Sequence, residues 1–377
     1  MGLTRRHFLG VMGAGAAATA LPLPLGPRAL AATQGGSSAA PLASPILLSS
    51  NENAYGPFPK VVSAMREALV RANRYPDAVH ERFVERVAKL HSVSPKQVLV
   101  GCGSVEILKI CAAAFTGPGR KLIMASPTFE PIGRFAQAAG AEVVRLPLTK
   151  DFAHDVTAML AAATDAGLIY LCNPNNPTAS LTPRKDLDSL ISKLPAAAHV
   201  LVDEAYHHFA IASPDYASFL DRPAASDRVI VARTFSKVYG LAGMRLGYGI
   251  SSAATIERMR PHQLNANGNV AVLSSALVAL DDEASLQASV KRNAADRAEF
   301  ANQARARKLS AIPSYANFAM IDSGRPVTAV IEHFKKNGVL VGRPFPPMDS
   351  YVRVSFGLPA EMERFWQVWD QQPQARG

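Results

Sequence analysis

Short runs of β-branched residues alternate with segments of helical character from residue 98 onward. Six runs are predicted as strands, at residues 98–100, 122–125, 142–146, 168–172, 200–203 and 229–232. Such alternation is typical of an α/β fold with a mostly parallel sheet. Polar and Gly/Pro-rich residues follow most of these runs, and ligands of open α/β sheets bind beyond the carboxyl ends of strands. We therefore expect the functional residues at that edge of the sheet.

The composition is that of a large globular protein. The 377 residues are 48% hydrophobic, which suffices for about two domains with cores of their own. The formal net charge is +10, but lysine and arginine are scattered along the chain, so no nucleic-acid partner is predicted. Cys102, Cys111 and Cys172 lack metal-ligand spacing and are odd in number, so neither a metal site nor a disulfide framework is expected.

The first thirty residues have the order of an export signal. Arg5 and Arg6 precede a weakly apolar, Gly/Ala-rich run, and the small-residue site Ala29-Leu30-Ala31 follows. This order predicts a twin-arginine signal over residues 1–31, cleaved near Ala31. We expect the twin-arginine machinery to export the folded protein to the periplasm, without stable membrane insertion because the apolar run is short for a bilayer. A disordered Ala-rich leader without function is the alternative.

The rest of the chain divides into four predicted segments. They are a flexible linker at residues 32–45, an N-terminal arm at 46–77, a large domain at 78–255 and a small α+β domain at 256–377. The arm is Pro-rich and irregular in places, so we expect it to wrap across domains or subunits and to contribute to the small domain. A long helical region through residue 309 precedes short strands around residues 317–321, 339–342 and 351–355.

Lys237 follows the run at residues 229–232 and is the candidate reactive residue. A lone lysine is usually a surface charge. Here an ordered set of motifs precedes it, namely a Gly-rich turn opening a helix, the loop Asn173-Pro174-Asn175-Asn176-Pro177-Thr178, and Asp203-Glu204-Ala205-Tyr206 at a strand end. Together they supply the amine, the carboxylate and the phosphate-binding backbone groups that a pyridine aldehyde cofactor needs.

These motifs resemble class I/II aminotransferases of fold type I, most closely the histidinol-phosphate aminotransferase branch. Further similar motifs are Asn51-Glu52-Asn53-Ala54-Tyr55-Gly56-Pro57, Arg74-Tyr75-Pro76-Asp77, Ala316-Asn317-Phe318, Val341-Gly342-Arg343 and Val352-Arg353-Val354-Ser355. The resemblance extends over residues 46–370. It implies a large α/β domain with a mostly parallel seven-stranded sheet between helices, a smaller α+β domain, and pyridoxal 5′-phosphate (PLP) as cofactor. It also implies a homodimer with shared sites, and ping-pong transfer of an amino group from an amino acid, or a similar compound, to a 2-oxo acid.

The resemblance assigns roles toward the cofactor ring to five residues. Lys237 would form a Schiff base with PLP and then move a proton between the substrate Cα and the cofactor. Asp203 would face the pyridine nitrogen and keep it protonated, so that the ring withdraws electrons. Asn173 and Tyr206 would hydrogen-bond the ring oxygen, and Phe129 would stack on the ring face.

The resemblance also assigns the phosphate and substrate contacts. The phosphate would bind backbone N–H groups at a helix start, where the helix dipole favours an anion, and nearby side chains would complete its site. The backbone groups belong to Gly103, Ser104 and Val105, and the side chains to Thr234, Ser236, Arg245 and, from the partner subunit, Tyr75. For the substrate, Arg353 would pair with the α-carboxylate, because a planar guanidinium suits a carboxylate. Asn173, Tyr55 and Arg343 would line the remainder of the substrate pocket.

The chain departs from the family's motifs at two places. Thr178-Ala179 stands where the family usually has Thr-Gly, and because alanine disfavours positive φ we expect a small adjustment of that loop. Pro261-His262-Gln263 stands where histidinol-phosphate enzymes carry Pro-Tyr-Pro, and that tyrosine belongs to their substrate pocket. Histidinol phosphate is therefore not assigned as substrate. A free amino acid, an amino-acid-derived natural product and an amino group on an exported peptide are the open alternatives.

Other reactions are open on the same scaffold. A decarboxylase, lyase, racemase or oxidase would begin with the same attachment of substrate to cofactor. A binding protein that has lost the chemistry is a further alternative, although the presence of Lys237, Asp203, Asn173 and Arg245 favours an enzyme.

Overall fold

The computed structural model of the protein describes residues 44–221 and 227–372. The predicted signal over residues 1–31 and most of the predicted linker lie outside the described residues. Within them, the strands in chain order are β1 Ile46–Leu48, β2 Val98–Gly101, β3 Lys121–Ser126, β4 Val143–Pro147, β5 Ala166–Cys172, β6 His199–Asp203, β7 Val229–Thr234, β8 Gly247–Ile250, β9 Ser310–Ala311, β10 Phe318–Asp322, β11 Val339–Val341 and β12 Tyr351–Ser355.

The helices cover the sheet and build the small domain. In chain order they are α1 Pro59–Ala68, α2 Asp77–Leu90, α3 Ser104–Phe115, α4 Pro131–Ala138, α5 Val156–Ala161, α6 Arg184–Ser192, α7 His207–Ala210, α8 Ala253–Met259, α9 Val270–Asp281, α10 Glu283–Ala306, α11 Val327–Lys336 and α12 Pro359–Asp370. In the part of the chain that the structure describes, no helix is both long and apolar enough to cross a membrane.

A seven-stranded sheet forms the centre of the large domain, in the order β2-β8-β7-β6-β5-β3-β4. Strands β3 to β7 pair in parallel, and only β8 runs antiparallel to its neighbours β2 and β7. Successive side chains of a strand point to opposite faces. Leu122 of β3 accordingly packs into one apolar core and Ile123 into another, on the other face. The predicted α/β class with a mostly parallel seven-stranded sheet is confirmed.

Strand β8 was not predicted, because two of its four residues are glycine, which is depleted in strands. Its glycines are required by close packing. A Cβ on Gly247 would collide with the backbone N of Ser104 and would lie 2.7 Å from the carbonyl oxygen of Arg233. The strand therefore lies directly against the start of α3, which contributes to the site described below.

The small domain holds two further sheets. Strands β12, β10 and β9 form an antiparallel sheet, and β1 pairs in parallel with β11. The arm thus supplies a strand to the small domain, and Leu48 is buried in the same core as Val341 and Phe365.

Helix α9 follows the predicted domain boundary at residue 256, yet it contacts the large domain. Its residues Val272 and Leu273 are buried in one core with Phe83 and Phe235 of the large domain. Because α9 is apolar around most of its circumference, it is buried on several sides, and the same core also contains Phe318 of β10. The predicted boundary at residue 256 stays a prediction.

Ala179 keeps a positive φ of 58°, contrary to the expected loop adjustment. A left-handed backbone costs a non-glycine residue about 1–2 kcal/mol. Tertiary contacts offset this cost, because the Ala179 N–H donates to the Asn175 carbonyl at 2.8 Å and its carbonyl accepts from the Tyr315 N–H at 2.8 Å. Its methyl group is fully buried. The loop conformation is held by these contacts and not by the residue type.

Candidate functional site

A cleft of about 900 Å³ lies where the carboxyl ends of the central strands face the small domain. Its volume is in the range usual for small-molecule sites. Eleven of the predicted site residues line it, namely Ser104, Val105, Phe129, Asp203, Tyr206, Thr234, Ser236, Lys237, Arg245, Arg343 and Arg353. The structure thus brings together residues that are up to 249 positions apart in the sequence.

Asp203 ends β6 and is almost completely buried, with 2% of its surface exposed. One carboxylate oxygen accepts from the Tyr170 hydroxyl at 2.9 Å and the other from the Ala205 N–H at 3.2 Å. Burial raises the pKa of this carboxyl to about 6. No ion pair with another described residue compensates the charge, so the carboxylate is suited to a cationic ligand group such as a protonated pyridine.

Lys237 lies just beyond the end of β7 and reaches into the cleft. Its ammonium donates to the Asn51 carbonyl at 3.0 Å and lies 5.5 Å from the centre of the Tyr206 ring. Burial, and next the positive charge of Arg353, lower the pKa of Lys237 to about 8. A lysine with this pKa supplies a useful fraction of free amine near neutral pH.

Attachment of PLP to the cofactor-free protein should accelerate with pH and level off above about pH 8. Only the unprotonated amine is nucleophilic, and its fraction at pH 7 is about one in ten for a pKa near 8, against about one in 3,000 for an ordinary lysine. Stopped-flow absorbance between pH 6 and 10 measures this rate. Binding of pyridoxamine phosphate, which cannot attach to lysine, is the control. A rate that continues to rise tenfold per unit up to pH 10 would contradict the lowered pKa.

The start of α3 forms an anion cradle. The first N–H groups of a helix have no partners within it, and here they belong to Ser104 and Val105 at the cleft wall. Gly103 precedes them with φ 73°, and a Cβ there would collide with the guanidinium of Arg245. Arg245 in turn donates to the Ser236 hydroxyl at 3.2 Å. Backbone donors, a hydroxyl and a cation in one place fit a phosphate monoester.

Arg353 extends from β12 of the small domain into the opposite side of the cleft. Its terminal nitrogens donate to the Asn176 side chain at 2.7 Å and to the Ser49 carbonyl. Its Nε is buried without a hydrogen-bond partner among the described residues. Burial lowers the pKa of Arg353 to about 10, so the group stays charged at neutral pH. An unpaired buried donor on a fixed guanidinium indicates an anionic ligand.

Asn173 is a correction to the predicted site. Its amide donates to the Thr182 carbonyl at 3.1 Å and accepts from the Thr182 N–H at 2.9 Å, and it does not line the cleft. Both functional groups of the side chain are therefore committed to the backbone. Asn176 lines the cleft instead. The sequence could not separate them, because the loop contains three asparagines within four residues.

Tyr55 and Tyr75 also lie outside the cleft of their own chain. The Tyr55 hydroxyl donates to Asp296 at 3.2 Å and its ring lies under the guanidinium of Arg292. Its predicted substrate contact stays a prediction. Tyr75 is 83% exposed. Its predicted contact with a partner's phosphate stays a prediction.

Sequence reasoning missed several residues that complete the cleft. Asn51 and Arg134 line the cleft, and Asn51 bonds Lys237 and Tyr206. Tyr170 does not line the cleft, but it bonds Asp203. Asn51 belongs to a motif that the sequence already singled out, but its long-range partners could not be read from that motif.

Comparisons with known proteins agree with this geometry. The family described as aminotransferase class I and II matches residues 43–368. The histidinol-phosphate aminotransferase of Methylobacillus flagellatus is 36% identical over 328 residues, which cover 86% of this chain and 88% of that protein. Histidinol-phosphate aminotransferase 2 of Carboxydothermus hydrogenoformans is 38% identical, with 84% and 88% covered.

A solved structure of a similar protein contains the cofactor. The histidinol-phosphate aminotransferase of Sinorhizobium meliloti in complex with pyridoxal-5′-phosphate superposes with a TM-score of 0.80 at 26% identity, covering 86% of this chain and 89% of that one. The buried carboxylate, the lysine and the anion cradle of the present cleft fit the same cofactor. The chain therefore belongs to the class I and II aminotransferases, and it is a PLP-dependent enzyme that moves an amino group from an amino acid or similar compound to a 2-oxo acid.

Proposed function

We propose that the amino donor is an amino acid whose α-carboxylate binds Arg353. The observation that carries this proposal is the buried, unpartnered Nε of that residue. Contacts with Asn176 and Ser49 fix the plane of the guanidinium, so that a carboxylate can accept two parallel hydrogen bonds from it. Such a contact orients the substrate Cα toward Lys237, on the other side of the same cleft.

Residues of the chain have separate functions in the transfer of the amino group. PLP, when bound, supplies an electron sink for the electron pair left by a departing Cα proton. Lys237 accepts and returns that proton, because its lowered pKa allows both protonation states near neutral pH. Asp203 would hold its negative charge against the ring nitrogen.

Histidinol phosphate is a second candidate donor, favoured by the names of the relatives. Arg134, Arg343 and Arg353 all line the cleft and could bind a phosphate ester as well as a carboxylate. Against this candidate stands the sequence Pro261-His262-Gln263, and His262 does not line the cleft. The amino acid therefore remains the leading candidate.

A donor panel distinguishes the two candidates. The purified PLP-loaded protein is mixed with single amino acids or with histidinol phosphate, and conversion of the cofactor to its amine form is followed by absorbance. A 2-oxo acid added afterwards should restore the aldehyde form. Conversion by one or more amino acids, and slower conversion by histidinol phosphate, supports the proposal. Conversion by histidinol phosphate alone would overturn it, and carbon dioxide release or oxygen consumption without a 2-oxo acid would exclude transamination.

Replacement of Arg353 by lysine should lower kcat/KM for amino acid donors by about 100-fold, because a point charge cannot reproduce two parallel charge-assisted hydrogen bonds of about 1.5–3 kcal/mol each. Steady-state kinetics over a donor concentration series measure this. Arg305→Lys, at the exposed end of α10, is the matched control and should behave as wild type. An unchanged kcat/KM in Arg353→Lys would show that the donor carboxylate does not bind this arginine.

We further propose that the active form is a homodimer. Residues Leu69, Val70 and Tyr75 of the arm are large, apolar and 59–83% exposed, which supports burial against a second copy. Analytical ultracentrifugation should give twice the mass of the chain. A monomer that retains full activity would contradict shared sites, and Tyr75→Phe should weaken phosphate binding only if the tyrosine reaches a partner.

We also propose periplasmic export of the folded, PLP-loaded protein. The support is the ordered arginine pair, apolar run and Ala29-Leu30-Ala31 site, all outside the described residues. Exchange of Arg5 and Arg6 for lysine should leave the full-length protein in the cytoplasm, as cell fractionation would reveal. Cytoplasmic wild-type protein with an intact N-terminus would refute export.

A further inference from the structure

Asn51 links the small domain to two residues of the cofactor site. It lies in the arm between β1 and α1 and is 1% exposed. Its N–H donates to the Ser355 hydroxyl at 2.8 Å, and its carbonyl accepts from Lys237 at 3.0 Å and from the Asn317 amide at 3.1 Å. Its side-chain Nδ2 donates to the Tyr206 hydroxyl at 3.0 Å. Each polar group of Asn51 thus forms a hydrogen bond with a residue that is far away in the sequence.

The backbone of Asn51 is left-handed, with φ 54°. Asparagine tolerates this region better than other residues with a side chain, but the conformation still costs free energy. Strained residues of this kind cluster at functional sites. Here the strain allows one residue to direct its carbonyl to Lys237 and its amide to Tyr206.

The orientation of the Asn51 amide follows from the hydrogens available around it. The Ser355 hydroxyl already accepts the Asn51 N–H, so its own hydrogen needs an acceptor. Asn51 Oδ1 lies 3.4 Å from that hydroxyl and is the acceptor, which places Nδ2 against Tyr206. A flipped amide would set two donors against Ser355 and leave the serine hydrogen without a partner.

This orientation fixes the role of the Tyr206 phenol. Burial raises the pKa of Tyr206, so the hydroxyl carries its hydrogen. Because the phenol oxygen accepts from Asn51, it cannot donate its hydrogen to the same amide group. Tyr206 lines the cleft, and its hydrogen is left to point there.

We infer that Asn51 is a positioning residue: by donating to the Tyr206 hydroxyl, it commits the phenol hydrogen to the ring oxygen of bound PLP. The inference rests on the cofactor site and not on the identity of the amino donor. A hydrogen bond to the ring oxygen stabilises its anionic form. It therefore lowers the pKa of the neighbouring nitrogen that joins Lys237 to the cofactor.

Three substitutions separate the contributions of Asn51. Asn51→Asp keeps the shape but places an acceptor against the phenol, which draws the hydrogen away from the cofactor. Asn51→Gly removes the amide and adopts positive φ without strain, so folding is retained. Asn53→Asp is the matched control in the same arm, since the Asn53 side chain bonds the Val238 carbonyl at 3.0 Å and not Tyr206.

The readout is the visible absorbance of the PLP-loaded protein, titrated with pH in the absence of substrate. Asn51→Asp should raise the pKa of the lysine–cofactor nitrogen by about one unit, Asn51→Gly by less than half as much, and Asn53→Asp not at all. The other charged groups around Lys237, namely Glu52, Asp203, Arg245 and Arg353, are unchanged in every variant. Thermal unfolding of each cofactor-free variant checks that the fold is retained.

The same substitution in a Tyr206→Phe variant distinguishes an effect through the phenol hydrogen from a direct effect of the aspartate charge. If Asn51 acts through the phenol, Asn51→Asp should produce no further shift once the hydroxyl is absent. A shift of the same size in Tyr206→Phe would show a direct effect of the aspartate and would overturn the inference. No shift in the single variant would overturn it as well. Neither outcome depends on which donor the enzyme uses.

Discussion

Replacement of Lys237 by alanine is expected to lower kcat by about ten-thousand-fold or more, because it removes both the nucleophile that holds PLP and the base that moves the proton. The variant should still bind PLP through the α3 cradle, Arg245 and Asp203, so the loss lies in chemistry and not in cofactor retention. Single-turnover conversion of the cofactor by a saturating amino acid measures the rate.

Covalent attachment gives an independent readout of the same variant. Borohydride reduction of the wild-type protein should fix the cofactor on the peptide that contains Lys237, as mass spectrometry would detect, and Lys237→Ala should yield no such peptide. Lys193→Ala, at the exposed end of α6, should match wild type. A reduced cofactor adduct on another lysine of Lys237→Ala would disprove the assignment.

Replacement of Asp203 by asparagine should have opposite effects on activity and stability. Loss of the charge against the pyridine nitrogen should lower kcat by about 1,000-fold. The cofactor-free protein should become more stable by about 1–3 kcal/mol at pH 7, because an ionised carboxylate is no longer buried. Asparagine can still accept from the Ala205 N–H through its one oxygen, while its NH2 group faces the Tyr170 hydroxyl, which then accepts instead of donating.

The pH dependence of this gain has a definite sign. In the folded protein the pKa of Asp203 is raised from its ordinary 3.8 to about 6, so the folded state holds the proton more tightly than the unfolded chain. The destabilisation by the charge is fully present above pH 6 and disappears as the pH falls toward 4. Urea unfolding of wild type and Asp203→Asn at pH 7 and 4.5 measures it. Asp151→Asn, an exposed position, is the control; an equal gain at both pH values would contradict the buried charge.

The sequence predicted those parts of the fold that short-range patterns determine. The β-branched runs located β2 to β7 to within two residues, and the motif order identified Lys237, Asp203 and Arg245 as neighbours in space. Strand β8 was not predicted because its two glycines disfavour a strand, although close packing against Ser104 requires the glycine at position 247.

The remaining differences depend on contacts between distant residues. Asn173 and Asn176 have the same chemistry, and only the three-dimensional path of their loop decides which one faces Arg353. The positive φ of Ala179 is imposed by Asn175 and Tyr315 against its own preference. Asn51 bonds Ser355, 304 positions away, and no local pattern reports such a partner.

Strand β1 also sets an order of events during synthesis of the chain. Its only strand partner in the described residues is β11, which emerges from the ribosome roughly 290 residues later. At about 5–20 residues per second, the nascent segment at residues 46–48 stays without its partner for about 15 to 60 seconds. The seven-stranded sheet can form within that interval, whereas the small domain can close only near the end of translation. A ribosome stalled before residue 339 would therefore carry a nascent chain that has the anion cradle at the start of α3 but lacks Arg353.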